Sequence, residues 1–242
     1  DKAADLRDSR EGGATCDDAC QEVNAMRREL IRWMGLVGVL ALVSYTAAVV
    51  FSPTAYPGYD WMAQAVSDLS AESAPSRRLW KQLAALYDVG SVVCATCVAI
   101  YASDRKVSTR LFRLGVYLFA CMTWVSNVGY AAFPLPDGGK EIASFQETMH
   151  IVVTVLVVVL SIASLVCLIV NGYRDRRTKG LGICAAIALA MMLVGAVGQG
   201  IVDPRYFGVV ERFSVYSAVG FNAVLGINLL CGFKGMGGIE HG

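Results

Sequence analysis

Six long apolar runs alternate with short polar segments along this chain. Each run holds about the 20 residues that an α-helix, rising 1.5 Å per residue, needs to cross roughly 30 Å of hydrocarbon. The connections carry charges and turn-forming residues such as Pro134 and Pro136. The pattern predicts an all-α, polytopic integral membrane protein built as a six-helix bundle. The predicted spans are Trp33–Phe51, Lys81–Ala102, Leu111–Phe133, His150–Val170, Leu181–Ile201 and Phe213–Phe233.

Composition agrees with this pattern and suggests three regions. The 242 residues are 55% hydrophobic with a mean hydropathy of +0.51, which is too apolar for a soluble domain of this size. The net charge of +1 gives no reason to expect a nucleic-acid partner. We expect a polar cytoplasmic tail over 1–30, a transmembrane domain over 31–233 and a second cytoplasmic tail over 234–242. In the first tail, Asp17 or Asp18 is expected to cap a helix entering the first span.

Lysine and arginine are distributed unevenly between the two sides of the predicted bundle. The N-terminal tail carries six, and the second and fourth loops with their edges carry four each; the first, third and fifth loops carry two, one and two. Because basic residues concentrate in cytoplasmic segments, we expect both termini in the cytoplasm and the protein in the cytoplasmic membrane. The basic residues of the three rich segments are Lys2, Arg7, Arg10, Arg27, Arg28, Arg32; Arg105, Lys106, Arg110, Arg113; and Arg174, Arg176, Arg177, Lys179.

Nearly all polar residues inside the spans lie toward the end that the charges predict to be outside. Ionisable residues are costly in a membrane, so a functional role is the default hypothesis for them. The second, fourth and sixth spans also begin at that end, and helix N-termini favour anions. The sequence therefore predicts a polar site near the outer leaflet, with Arg212 anchoring an anionic head group. The candidate ligand-binding residues are Asp68, Lys81, Asp88, Asn127, His150, Glu211 and Arg212.

Lone charges at that depth would be expensive, so ion pairs are expected within the site. The expected pairs are Arg212 with Asp68 or Asp137, and Lys81 with Glu147 or Asp88.

Several short motifs follow one another in a characteristic order. They are Ser67-Asp68-Leu69 after an outer proline and tyrosine, Phe133-Pro134 with Asp137, His150 opening a span, and Gly208-Val209-Val210-Glu211-Arg212 opening the last. Together they resemble the DUF998 family of six-span bacterial and archaeal membrane proteins. The resemblance covers about residues 33–233 and implies the fold and membrane residence, but no agreed activity. The family more often carries glutamine where this chain has Glu211.

Three kinds of function remain open. The first is a non-catalytic protein that binds or moves a membrane lipid or small amphiphile. The second is a membrane-embedded lipid hydrolase, in which His150 with Glu147 or Asp68 is the general base and Ser67 the nucleophile. The third is a structural subunit of a membrane complex, and a homo-oligomer is also possible.

No metal and no cofactor is expected from the sequence. Glu147 and His150 have the spacing of one half of a di-iron bundle site, but such a site needs a second copy, and the other histidine is His241 in the tail. Phosphate-loop and dinucleotide fingerprints are absent. Lys81 lies at a span end, whereas a retinal protein needs a lysine deep in a seventh helix.

Overall fold

The computed structural model describes residues 2–103, 109–134 and 145–233, with side chains from Asp18 onward. These residues form helices and turns, with no strand among them, and six of the helical segments are long and apolar enough to cross a membrane. The predicted all-α, six-span architecture is confirmed. The helices are α1 (Lys2–Trp33), α2 (Gly35–Phe51), α3 (Arg77–Ala102), α4 (Arg110–Ala132), α5 (Phe145–Arg174), α6 (Lys179–Gly198) and α7 (Phe207–Leu230).

Several helices extend beyond their apolar runs. The last helix, α7, begins at Phe207 rather than at Phe213, directly after a short turn in which Asp203 accepts a hydrogen bond from the Arg205 amide. Likewise α5 continues past the apolar run at both ends, to Phe145 and Arg174. Backbone hydrogen bonds run through residues of any polarity. Hydropathy therefore locates the helix centre better than its ends.

The segment before the first span is itself helical. The expected cap at Asp17 or Asp18 is wrong, because α1 starts at Lys2 and passes through both positions. This segment contains no proline, the strongest helix breaker. A break of one residue, Met34, separates α1 from α2.

Six helices form a closed ring. Each of α2 to α7 packs on its neighbour in sequence, α7 closes the ring against α2, and α3 also contacts α7 across it. The ring has two ends. We call the end where α2, α4 and α6 begin the α1 face, and the end where α3, α5 and α7 begin the loop face.

Glycines allow two helix pairs to cross at backbone distance. A Cβ atom placed on Gly35 of α2 would lie 2.2 Å from the carbonyl oxygen of Gly226 in α7. One on Gly172 of α5 would lie 2.7 Å from the Cα of Gly182 in α6. Small residues at such crossings are how membrane helices approach closely.

The long connection between α2 and α3 folds back over the bundle at the loop face. Residues 63–70 of this connection form turns and one 3-10 turn, Ser67–Ser70. Val66 and Leu69 of this connection are buried, and the Ser76 hydroxyl donates to the Leu69 carbonyl at 2.8 Å. The connection thereby lies against the first turns of α7, where the candidate site is found.

Candidate functional site

Arg212, in the second turn of α7, holds the long connection with its guanidinium group. Its Nη1 donates to the backbone oxygens of Trp61 at 2.7 Å, Gly208 at 2.7 Å and Gln64 at 3.3 Å. Its Nη2 donates to the Tyr59 hydroxyl at 2.9 Å, and the guanidinium lies 5.8 Å from the centre of the Trp61 ring. We call these five residues the loop clamp.

Gly208 is the residue that lets the connection approach so closely. A Cβ atom there would lie 2.2 Å from the Gln64 carbonyl oxygen and 2.6 Å from that of Trp61. The Gly208 amide also donates to the Met62 carbonyl at 2.8 Å. Because Gly208 and Arg212 are four residues apart, they lie on the same face of α7. Contact with the long connection thus requires both ends of the Gly208–Arg212 motif.

The two carboxylates near Arg212 bind backbone amides instead of the guanidinium. Glu211 accepts from the Val66 amide at 3.0 Å and also from the Ser67 amide. Asp68 accepts from the Ala65 amide at 3.0 Å. A glutamine side chain carries the same kind of acceptor oxygen. A glutamine at position 211 would therefore accept from the Val66 amide as Glu211 does.

The predicted ion pair between Arg212 and Asp68 is wrong within the described structure. All four described hydrogen bonds of Arg212 go to neutral oxygens, since the carbonyl groups of the long connection occupy Nη1. The alternative partner, Asp137, lies outside the described residues. Burial raises the pKa of Asp68, and the hydrogen bond from the Ala65 amide opposes that shift.

Two N–H groups of the clamp arginine are left over by its described hydrogen bonds, the one on Nε and one of the two on Nη2. Of the five guanidinium N–H bonds, the one on Nε finds no acceptor among the described residues, and that nitrogen is not buried. The Tyr59 hydroxyl donates onward to the Ala65 carbonyl at 2.8 Å. Burial raises the pKa of Tyr59, against the lowering effect of Arg212, so the phenol keeps its proton for that bond.

Aromatic rings pack directly beneath the clamp. Tyr45 is 4% exposed, and its ring centre lies 4.7 Å from that of Tyr87 and 5.6 Å from that of Tyr216. The charges of Glu211 and Arg212 reach the Tyr45 hydroxyl. Tyrosines of α2, α3 and α7 therefore form the floor of the site.

A fourth tyrosine continues this layer toward α5. Tyr87 interacts electrostatically with Tyr130, whose ring centre lies 5.1 Å from that of His150. We call Tyr45, Tyr87, Tyr130 and Tyr216 the tyrosine belt. The belt connects the surroundings of Arg212 with those of His150.

His150 caps the end of the preceding helix. Its Nδ1 lies 2.8 Å from the carbonyl oxygen of Phe133, the residue after α4. Because a carbonyl can only accept, Nδ1 carries a proton, and in the neutral ring Nε2 is the acceptor. No contact among the described residues joins His150 to Ser67 or Asp68. The described hydrogen bonds therefore do not join His150 to the proposed nucleophile, Ser67.

The remaining candidates lie on α3 and α4. Lys81 and Asp88 are both exposed on α3, and the positive charge of Lys81 acts on Asp88. No ion pair between them is found among the described residues, so their predicted pairing stays a prediction. Asn127 of α4 donates to the Ser91 hydroxyl at 3.2 Å, and Asn222 of α7 donates to the Ser91 carbonyl at 3.3 Å. These amides cross-link α3, α4 and α7 deeper in the bundle.

Direct contacts therefore gather part of the predicted set. Asp68, Glu211 and Arg212 meet at one end of the long connection, while Lys81 with Asp88, Asn127 and His150 lie in separate surroundings. Sequence reasoning missed the role of Gly208 and of the tyrosine belt. A glycine four residues before an arginine, and tyrosines in the same half of four spans, were the available signals.

Comparison with known proteins identifies the family. No curated protein and no solved structure matches the chain. The family described as "Protein of unknown function (DUF998)" has a model that matches residues 39–228. That range covers more than half of the chain and contains the loop clamp, the tyrosine belt and His150. The chain belongs to the DUF998 family of membrane proteins.

Proposed function

We propose that this protein binds or moves a lipid or small amphiphile through the loop-face site, with Arg212 holding an anionic head group. The observation that best supports this is the unengaged, unburied Nε–H of an arginine otherwise held in place. The hydrogen-bond partners of Arg212 are neutral, so none of them neutralises the guanidinium directly. A phosphate or carboxylate oxygen would form a strong, charge-assisted bond with the Nε–H group.

The surroundings of Arg212 also suit an amphiphile. Trp61, whose ring lies beside the guanidinium, is 55% exposed, and tryptophan favours the membrane interface. Glu211 is occupied by backbone amides and does not hydrogen-bond the arginine. A head group could thus meet Arg212 while its apolar part contacts the Trp61 ring.

The structural alternative has a specific observation in its favour. Arg212 and Gly208 together fix the long connection onto α7 through backbone hydrogen bonds. In that case Arg212 stabilises the bundle and contacts no ligand. The hydrolase alternative needs His150 to reach a nucleophile, and its described hydrogen bonds lead to α4 and along α5 instead.

Native mass spectrometry of co-purified lipids tests whether Arg212 binds a lipid or only stabilises the bundle. Replacing Arg212 with glutamine should weaken the binding of one anionic lipid about tenfold, the loss expected for one charge-assisted hydrogen bond. Replacing it with lysine keeps a cation but loses most of the clamp geometry, so part of the lipid should remain while stability falls. The matched control is Arg205→Gln, an exposed arginine near the start of α7 that pairs with Asp203. It should leave the bound lipid unchanged.

Thermal unfolding in detergent completes the comparison. If both Arg212 variants are less stable yet carry the same lipids as the parent protein, Arg212 only stabilises the bundle. The proposal that it binds a head group then fails. Equal lipid loss in Arg205→Gln would show that general surface charge is responsible.

A further inference from the structure

A cavity of about 310 Å³ opens at the α1 face, at the opposite end of the bundle from the loop clamp. It lies between the last turns of α1 and the end of α3. Arg27, Arg28 and Ile31 line it from α1, and Ile100 and Ser103 line it from α3. Its volume is at the lower limit of small-molecule sites, which span roughly 300–1,000 Å³.

Polarity changes in the same direction along both walls of this cavity. On α1, Ile31 lies nearest to the first span, and Arg27 and Arg28 lie about one turn farther out. On α3, Ile100 precedes Ser103, so its apolar residue is also the one nearer the membrane core. A phospholipid has the same order, with acyl chains inward and phosphate outward.

The two arginines lie at the level of the lipid head groups. They precede Trp33 by five and six residues, which corresponds to about 8–9 Å of helix. Each headgroup layer is about 5–7 Å thick. The arginine side chains are long and flexible enough to span the small difference between these two distances.

The other side of α1 indicates that its last turns lie against the membrane. Four large apolar residues form a stripe at helical spacing and are 60–74% exposed: Val23, Met26, Leu30 and Trp33. An apolar stripe with a basic side opposite is typical of helices at an anionic membrane surface. The charge distribution predicts that this face is cytoplasmic, where anionic lipids concentrate.

We propose that this cavity binds the head group of an anionic phospholipid. Its phosphate lies between Arg27 and Arg28, and its glycerol and first acyl carbons contact Ile31 and Ile100. Arginine binds phosphate through paired N–H groups. A zwitterionic lipid should bind these arginines more weakly, because its own cation competes for the phosphate. This site is independent of the loop-face site, because the two lie at opposite ends of the ring.

The test compares dioleoyl phosphatidylglycerol with dioleoyl phosphatidylcholine bound to the full-length protein, measured by native mass spectrometry. The parent protein should prefer phosphatidylglycerol. The double variant Arg27→Gln, Arg28→Gln, compared with its parent in an Arg212→Gln background so that the loop-face site does not contribute, should bind about tenfold less phosphatidylglycerol, and lysine at both positions should restore part of it. The matched control, Arg174→Gln with Arg176→Gln, removes the same charge from the same face outside the cavity. It should change the occupancy less than about twofold.

Three results would overturn the proposal. They are equal occupancy of the two lipids, equal loss in the two double variants, and displacement of phosphatidylglycerol by an equal concentration of inorganic phosphate. The last would assign the cavity to a free anion. If the glutamine double variant does not fold, Arg27→Gln alone is compared with Arg174→Gln, and a selective loss is again required.

Discussion

At the scale of single residues, the Gly208–Arg212 motif combines a missing side chain with a long one. Gly208 leaves room for two carbonyl groups of the long connection, and Arg212 supplies the donors that bind them. The sequence alone identified Arg212 as a candidate site residue because of its charge. It could not show that the partners of Arg212 would be backbone oxygens, because these belong to residues about 150 positions away in the chain.

Replacing Gly208 with alanine should therefore destabilise the protein. Its new Cβ would meet two backbone oxygens that cannot rotate away, a form of overpacking that costs about 1–3 kcal/mol. Thermal unfolding in detergent measures the change. Gly220→Ala in the same helix is the control, since a Cβ there meets nothing within 4 Å. A loss for Gly220→Ala as large as that for Gly208→Ala would contradict the close-approach explanation.

Asp68 should make stability fall as pH rises. Burial raises its folded-state pKa above the ordinary value of about 3.9, so the folded protein holds this proton more tightly than the unfolded chain. The stabilisation from the protonated form is complete below the ordinary pKa and is lost as pH rises through the raised one. Asparagine keeps an acceptor for the Ala65 amide without the charge. The unfolding free energies of the parent and Asp68→Asn should separate as pH rises from the ordinary pKa through the raised one and stay apart above it, with the variant more stable. A difference that does not change across this pH range would refute the explanation.

At the scale of helices, hydropathy correctly predicts which membrane-spanning helices are present but locates their first and last residues poorly. All six spans are present, but α5 and α7 extend several residues beyond their apolar runs. The helix α1 has no apolar run over most of its length, so a periodic stripe of Ala19, Val23, Met26 and Leu30 was its main signal. Helical hydrogen bonding depends on the backbone, whereas hydropathy reports the side chains.

Removing Asp1–Asn24 should leave the stability of the bundle nearly unchanged. The side chains of residues 18–30 are exposed, so their loss uncovers little apolar surface. The deletion retains Arg27, Arg28 and the final turns of α1. Comparison of melting temperatures in detergent checks the expectation, and a large decrease would show that the removed segment stabilises the ring.

At the scale of the whole molecule, the sequence predicted how deep each polar candidate lies along its helix. It did not predict where around the ring of helices each candidate lies. Counting along the spans placed the polar candidates in the same half of the membrane, where the tyrosine belt also lies. Which helices face each other depends on the order of packing. In the closed ring His150 meets the end of α4, whereas Arg212 meets the connection between α2 and α3.

The orientation of the ring is the last prediction, and it determines which leaflet each site contacts. Excess basic charge at the α1 face predicts that this face is cytoplasmic and the loop face external.

Cys20, exposed on α1, should react with a membrane-impermeant maleimide only in inverted vesicles. A cysteine replacing exposed Glu72, in a background without Cys16, Cys20 and Cys231, should react only in right-side-out vesicles. Buried Cys94 is the internal control and should react in neither. Reaction of Cys20 in right-side-out vesicles alone would reverse the orientation. The cavity with Arg27 and Arg28 would then face the outer leaflet and the loop clamp the inner one.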